Sequence, residues 1–230
     1  MTTKTAPNST SSPSNNESQA RKLNVLIVDD HPIMREGLAA LINAERDMHL
    51  CGEADNAADA IAAVEQLKPD VAIVDIALHG RNGIELVKDI KSRNPHLPVI
   101  VLSMYEATLY GDRAAHAGAN AYLMKQDAAG NVIATIRQVA QGQKLLKSPA
   151  PSMAEQPPLD RLSDRELEVL QLIGLGLGTR QIAQKLHLSI KTIESHREHL
   201  KAKLNLHTGG ELIRYAVIHG MDVQPTTALA

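Results

Sequence analysis

LNVLIVDD, residues 23–30, is the stretch that decides the fold. An apolar run rich in Val, Leu and Ile stops abruptly on two adjacent acids, Asp29 and Asp30. It lacks the alternation that marks a strand with one wet face, so it reads as a strand of a parallel sheet buried on both faces. Comparable runs recur at about 48–54, 70–75, 98–103 and 121–125, each separated from the next by a helix-length segment. Strand and helix alternating five times predict a three-layer α/β sandwich. The expected form is a five-stranded parallel (βα)5 doubly wound sheet with right-handed crossovers.

Each of the chemically informative runs closes on a polar residue: DVAIVD on Asp75, PVIVLS on Ser103 and AYLMK on Lys125. In a parallel sheet the C-terminal strand ends share one edge, where ligands bind. Asp29, Asp30, Asp75, Ser103 and Lys125 should therefore meet in one small site. One strand-end aspartate commonly does no more than meet solvent. Two adjacent ones repel unless a cation or a base stands between them. With Asp75 facing them, an oxygen-rich site for Mg2+ is expected. A phosphoryl group at Asp75 would have its charge neutralised by the metal and Lys125, with the Ser103 hydroxyl as a further donor. Asp75 would act as nucleophile and form an acyl phosphate, and no general base is needed because a carboxylate is already ionised at neutral pH.

Composition narrows the remaining choices. At 230 residues each half of the chain can bury a core of its own, and 43% hydrophobic residues fit a globular protein. With four Tyr and no Phe or Trp, the cores must be aliphatic and single-strand binding by base stacking is disfavoured. A net charge of −2 argues against nucleic acid bound over the whole surface, though not against a local patch. The lone Cys51 excludes an intramolecular disulfide and a Cys-rich metal site, and reads as a buried structural thiol. Neither a membrane span nor a signal core stands out, so a cytoplasmic protein is expected.

Residues 1–21, rich in Ser, Thr, Asn and Pro, read as a disordered tail. The sandwich domain is placed at 22–143, with a first helix opening at His31-Pro32 and a last one capped by Asp127. The proline-bearing stretch 144–159 reads as a linker, and 223–230 as a flexible tail. Between them, 160–222 is wholly helical in pattern. Ser163-Asp164-Arg165-Glu166 is a capping box that opens its first helix. A short helix near 179–186, a turn at His187-Leu188-Ser189 and a longer helix over 190–204 make the helix-turn-helix pattern, in which the second helix lies in the DNA major groove; on pattern alone a solvated helix of a small bundle is the competing reading. A helix over about 210–218 completes a small four-helix domain. Ile193, Leu200 and Leu204 form the apolar stripe of the longer helix, and polar residues cover the rest. Lys and Arg only modestly exceed Glu there, so affinity should rest on dimerisation and on backbone amides. Leu212, Ile213, Ala216 and Val217 on the last helix suggest a two-fold dimer contact, with core packing as the competing account.

DDHP at 29–32, DIAL at 75–78 with Gly83 beyond it, the strand end at Ser103 and the AYLMK segment resemble the receiver domain of bacterial two-component response regulators, over residues 23 to about 142. That resemblance implies Asp75 as acceptor of a phosphoryl group from a histidine kinase. It implies Asp30, Asp75 and the Ala77 carbonyl as direct Mg2+ ligands, Asp29 acting through water, and Ser103 with Tyr122 as a switch pair. The family usually has proline where His79 stands; His79 reads as a solvated loop histidine, with metal or phosphate ligation as the alternative. LSDRELEVLQLI at 162–173 and TRQIAQKLHLSIKTIESHREHLKAKLNL at 179–206 are similar to the LuxR-type DNA-binding domain. Together the two halves resemble the NarL/FixJ class.

By that resemblance Ser189, Lys191, Thr192, His196, Arg197 and Lys201 grip phosphates, while Glu194, Ser195 and Glu198 face base edges. A glutamate there can accept from cytosine N4. The implied partners are a histidine kinase, promoter DNA with inverted half-sites and a second copy of the chain on activation, with RNA polymerase a candidate and no membrane. In the free state the receiver is expected to cover the recognition helix. A turnover enzyme is not expected. One rival is an aspartyl-phosphate phosphatase, which would need an acid two residues after the nucleophile, where Ala77 stands. The other is a phosphorylation-independent regulator whose receiver only docks.

Overall fold

The strand-forming runs are most apolar where the sheet is most deeply covered. The structure, a computed structural model, describes residues 21–78, 81–105, 107–146 and 158–219. Strands and helices alternate as β1 (Leu23–Val28), α1 (Pro32–Ala44), β2 (Met48–Ala54), α2 (Ala57–Leu67) and β3 (Val71–Asp75). A short hairpin, β4 (Ala77–Leu78) with β5 (Arg81–Asn82), precedes α3 (Gly83–Arg93), β6 (Val99–Ser103), α4 (Ala107–His116), β7 (Ala121–Met124) and α5 (Ala128–Ala140). The five long strands pair in parallel in the order β2-β1-β3-β6-β7. Strand order reverses direction beside β1, the kind of switch point at which open α/β sheets bind ligands.

Alternation along the strands divides the core in two. Val25, Ile27, Ile73, Ile100 and Leu102 pack with Leu38 and Ile42 of α1 and with Val132, Ile136 and Val139 of α5. Leu26, Val28, Ala72, Val74, Val99 and Val101 face the other way, toward α2, α3 and α4. Every residue of β3 and β6 is buried, as a central parallel strand requires. In the edge strand β2 only Met48 and Ala54 are buried. Cys51 on that edge is half-buried, with its thiol toward the Val25 carbonyl at 3.3 Å.

Local chemistry sets the helix starts that flank the strand ends. His31 is the N-cap of α1, with Pro32 in the first turn. Asn82 caps α3 by accepting the Ile84 N–H at 2.9 Å. The expected cap at Asp127 is not formed: Lys125–Asp127 is a 3-10 turn, Asp127 has helical dihedrals, and its side chain makes no cap bond.

The second half is helical: α6 (Asp164–Gly174), α7 (Thr179–Lys185), α8 (Ile190–Leu204) and α9 (Gly209–His219). The capping box forms, with Ser163 Oγ accepting the Glu166 N–H and Glu166 accepting the Ser163 N–H. Leu167, Leu170, Ile182, Ile193, Leu200, Leu212 and Ala216 make its core. The linker and tail expectations at 1–20, 147–157 and 223–230, and His79 with its neighbour Gly80, lie outside the described residues.

Candidate functional site

Asp29, Asp75, Ser103 and Lys125 are all buried at one edge of the sheet, and Asp30 stands beside them. Lys125 Nζ donates to Asp75 Oδ2 at 2.7 Å and lies 2.8 Å from Asp29 Oδ2. One ammonium therefore bridges two buried carboxylates. Asp29 also accepts the His31 N–H at 2.8 Å, and its carbonyl accepts from Arg35 at 2.6 Å. The Asp75 end of β3 is held from below by Gly83, where a Cβ would collide with the Asp75 carbonyl. Only glycine permits that approach.

Negative charge is in excess here. Burial pushes the Asp75 carboxyl up to about 6; Lys125 acts against burial, and the charge on Asp29 adds to it. For Lys125, burial alone would lower its pKa, but the charges of Asp75 and Asp29 outweigh burial and raise it, so it stays an ammonium. Asp75 Oδ1 is buried without a hydrogen-bond partner among the described residues. Carboxylates of Asp29, Asp30 and Asp75 and a ring nitrogen of His31 offer ligand atoms all within 4.8 Å of one another. A mostly hard-oxygen set with an uncommitted carboxylate oxygen fits a divalent cation such as Mg2+. His31 was legible in the sequence only as a helix start. Its Nδ1 lies 2.6 Å from Asp30 Oδ1 and 3.2 Å from Asp29 Oδ1.

Ser103 Oγ accepts the Tyr105 N–H at 2.9 Å, and the Tyr122 hydroxyl donates to the Tyr105 carbonyl at 2.7 Å. Burial raises the Tyr122 phenol, keeping it a neutral donor. The Ser103 and Tyr122 hydroxyls also bond to each other, and both hold the backbone of Tyr105, a residue that the sequence did not single out.

On α8, Ile193 and Leu200 are buried and Leu204 half-buried, as the stripe requires. Lys191, Glu194, Ser195 and Glu198 are exposed. Ser189 is the helix N-cap, accepting the Thr192 N–H at 3.0 Å with the two hydroxyls 2.7 Å apart. Lys201 pairs with Glu198 at 2.9 Å. His196 and Arg197 are half-buried on the side of the stripe, and burial holds the His196 pKa below its usual value, with Arg165 adding to the effect. His196 therefore faces back toward α6 and is placed less well for phosphate than its neighbours on the open face. On α9, Leu212 and Ala216 are fully buried in the domain core, whereas Ile213 and Val217 are exposed beside Ile218. Core packing accounts for the first two.

The two halves touch through α6 and α7. Every residue of α6 is buried. Arg113 of α4 donates to the carbonyls of Leu159 and Leu162 at 2.6 and 2.8 Å and to Asp164 at 2.9 Å; Lys88 of α3 reaches Asp164 at 3.1 Å. A cavity of about 140 Å3 lies over the acidic site, walled by Asp30, His31, Ala77 and Tyr105 on one side and by Glu168, Lys185 and His187 on the other. The sandwich domain covers α6 and the turn leading into α8. The open face of α8 is left exposed, contrary to the expectation that the receiver covers it.

The model of the response regulator receiver domain matches residues 25–137, and that of the bacterial regulatory proteins of the luxR family matches 160–216. The "DNA-binding transcriptional activator DevR/DosR" of Mycobacterium tuberculosis is 36% identical over 191 residues, 79% of this chain and 88% of that protein. The "Nitrate/nitrite response regulator protein homolog" of Haemophilus influenzae is 31% identical over 192 residues, 81% of this chain and 92% of that protein. Among solved structures, RcsB from Salmonella enterica serovar Typhimurium, bound to promoter rprA with the phosphomimetic BeF3−, is 26% identical with a TM-score of 0.57, covering 86% of this chain and 99% of that one. The chain belongs to the two-component response regulators that join a receiver domain to a LuxR-type DNA-binding domain. Its family is one of DNA-binding response regulators. Among the described residues no helix is long and apolar enough to cross a membrane.

Proposed function

We propose that Asp75 is the phosphoacceptor of this regulator and that its phosphoryl state sets how far the DNA-binding half is released. A receiver over 22–143, a linker over 144–159 and a DNA-binding domain over 160–222, with its helix-turn-helix at about 179–204, are the working parts. The observation that carries the reading is Lys125 Nζ within 2.8 Å of carboxylate oxygens on both Asp75 and Asp29, beside an Asp75 oxygen with no hydrogen-bond partner among the described residues.

Asp75 attacks phosphorus as the P–N bond of a kinase phosphohistidine, or the bond to the leaving group of a small phosphodonor, breaks. The Asp75 oxygen thereby becomes an acyl phosphate. Lys125 is placed to neutralise the phosphoryl oxygens as charge shifts onto them, and the Ser103 hydroxyl to donate to one of them. Asp30, Asp75 and the Ala77 carbonyl would hold Mg2+ directly, with Asp29 beside them, and the bound ion would supply further neutralisation of the phosphoryl charge. Ser103 and Tyr122 then change partners, which biases the domain arrangement by population shift.

In the DNA-binding half, Ser189, Lys191, Thr192, Arg197 and Lys201 serve as phosphate contacts and Glu194, Ser195 and Glu198 as base-edge contacts. His196 acts from a partly buried position. Ile213 and Val217 supply the exposed apolar part of a two-fold contact between copies on inverted half-sites, and RNA polymerase is the partner such a complex would meet. The protein acts in the cytoplasm, where its DNA lies. Acetyl phosphate with Mg2+ should make the wild type dimerise and bind duplex DNA at least several-fold more tightly, and should leave Asp75→Asn unchanged in gel-shift and light-scattering assays. An equal response in both proteins would rule Asp75 out as the switch.

A further inference from the structure

Three tyrosines and a glutamine form a continuous path from the acidic site to the other half of the molecule. Tyr105 is tied at both of its backbone groups to the pair proposed as switch: its N–H to Ser103 Oγ at 2.9 Å and its carbonyl to the Tyr122 hydroxyl at 2.7 Å. Its ring lies tilted against Tyr110 of α4, with centroids 5.5 Å apart. Tyr110 is wholly buried, and its hydroxyl donates to Gln171 Oε1 of α6 at 3.0 Å. Gln171 is itself buried, and its Nε2 has no hydrogen-bond partner among the described residues.

We infer that Tyr105, Tyr110 and Gln171 form the latch through which the phosphoryl state of Asp75 reaches the DNA-binding domain, an inference that rests on the reading of Asp75 as phosphoacceptor. A Ser103 hydroxyl that turns to a phosphoryl oxygen leaves the Tyr105 N–H and its contact with the Tyr122 hydroxyl. Tyr105 then loses one backbone anchor, and the Tyr122 hydroxyl that holds the other loses a neighbour. The ring tilted against Tyr110 is less firmly held, and Tyr110 bonds α6. Arg113 and Lys88 also bind the second half, through Asp164 and two carbonyls, but among the described residues these bonds touch neither Ser103, Tyr122 nor Tyr105. They hold the halves together without a link to the switch. The orphaned Gln171 amide keeps the latch weak. Opening lets water reach that donor, so the closed arrangement is poised for release by a small local change.

The test uses the full chain in small-angle X-ray scattering, with and without Mg2+ and beryllium fluoride, for wild type, Tyr110→Phe, Gln171→Leu and the double variant. Tyr110→Phe keeps the ring and removes only the hydroxyl. The latch predicts that wild type expands on beryllium fluoride. Each single variant should be more expanded without it, by roughly a five- to tenfold shift toward the open form. The double variant should go no further than either, and all three should respond to beryllium fluoride less than wild type. Variants as compact as wild type, with an equal response to beryllium fluoride, would overturn the latch, and so would additive effects in the double variant. Expanded, non-additive variants beside a wild type that ignores beryllium fluoride would support the latch and overturn the phosphoryl reading of Asp75.

Discussion

Lys125 and Arg137 each bridge two carboxylates, at opposite ends of α5 and its leading turn. Arg137 meets Glu45 at 2.6 Å and Asp47 at 2.8 Å, with 40% of its side chain exposed. Lys125 meets Asp75 at 2.7 Å and Asp29 at 2.8 Å, with 5% exposed. The distances are nearly the same and the physics is not. Around Arg137 water screens the charges, and the hydrogen bond to Arg137 holds the Asp47 carboxyl below its usual range. Around Lys125 burial overrides the cation and lifts Asp75. The exposed cluster is electrostatically satisfied. The buried one carries surplus negative charge, which favours a bound cation.

Removing each cation would test the contrast most sharply. Lys125→Ala leaves two buried carboxylates without their counter-ion and is expected to cost about 3–5 kcal/mol by chemical denaturation without Mg2+. Added Mg2+ or lower pH should restore part of that. A cost indistinguishable from zero would mean the site is wetter than its burial implies.

Asp75→Asn should move stability the other way. The folded pKa of Asp75 is raised from 3.8 to about 6, so folding favours its protonated form and the penalty of ionising it grows as pH rises from about 4 to about 6. Metal-free wild type should therefore lose stability across that window relative to Asp75→Asn. Above it the variant should be the more stable by about 1–3 kcal/mol, the upper value being the full shift and the lower allowing for the Lys125 partner that is lost. Paired melts between pH 4 and pH 8 read this directly, and a constant difference across the window would contradict it.

Arg137→Ala is the smallest expected effect. High salt should erase whatever difference it makes, and a salt-resistant loss would show that the exposed cluster is not screened as argued.

Much of this contrast was legible in the sequence, because its cause is local. A strand buried on both faces must be an unbroken apolar run, so Leu23–Val28, Val71–Asp75 and Val99–Ser103 announced themselves, and with them the polar residues that end them. The same held for the Ser163–Glu166 capping box and the Ser189 cap, which need only four consecutive residues. The hairpin at Ala77–Asn82 was missed, since two-residue strands carry no periodicity. His196 faces α6 because positions three and four along a helix from Ile193 share its face, and that spacing was available but outweighed by the motif. Tyr110 and Gln171, 61 residues apart, left no signal at all. A contact between domains depends on how two finished surfaces dock, and no window of sequence contains it.

The most direct test of the central claim is to locate the phosphoryl group itself. Wild-type protein incubated with acetyl phosphate and Mg2+, then reduced with borohydride and digested, should yield one modified peptide by mass spectrometry, with homoserine in place of Asp75. Homoserine at Asp29 or Asp30, or an unmodified protein under conditions where Mg2+ is bound, would contradict the account.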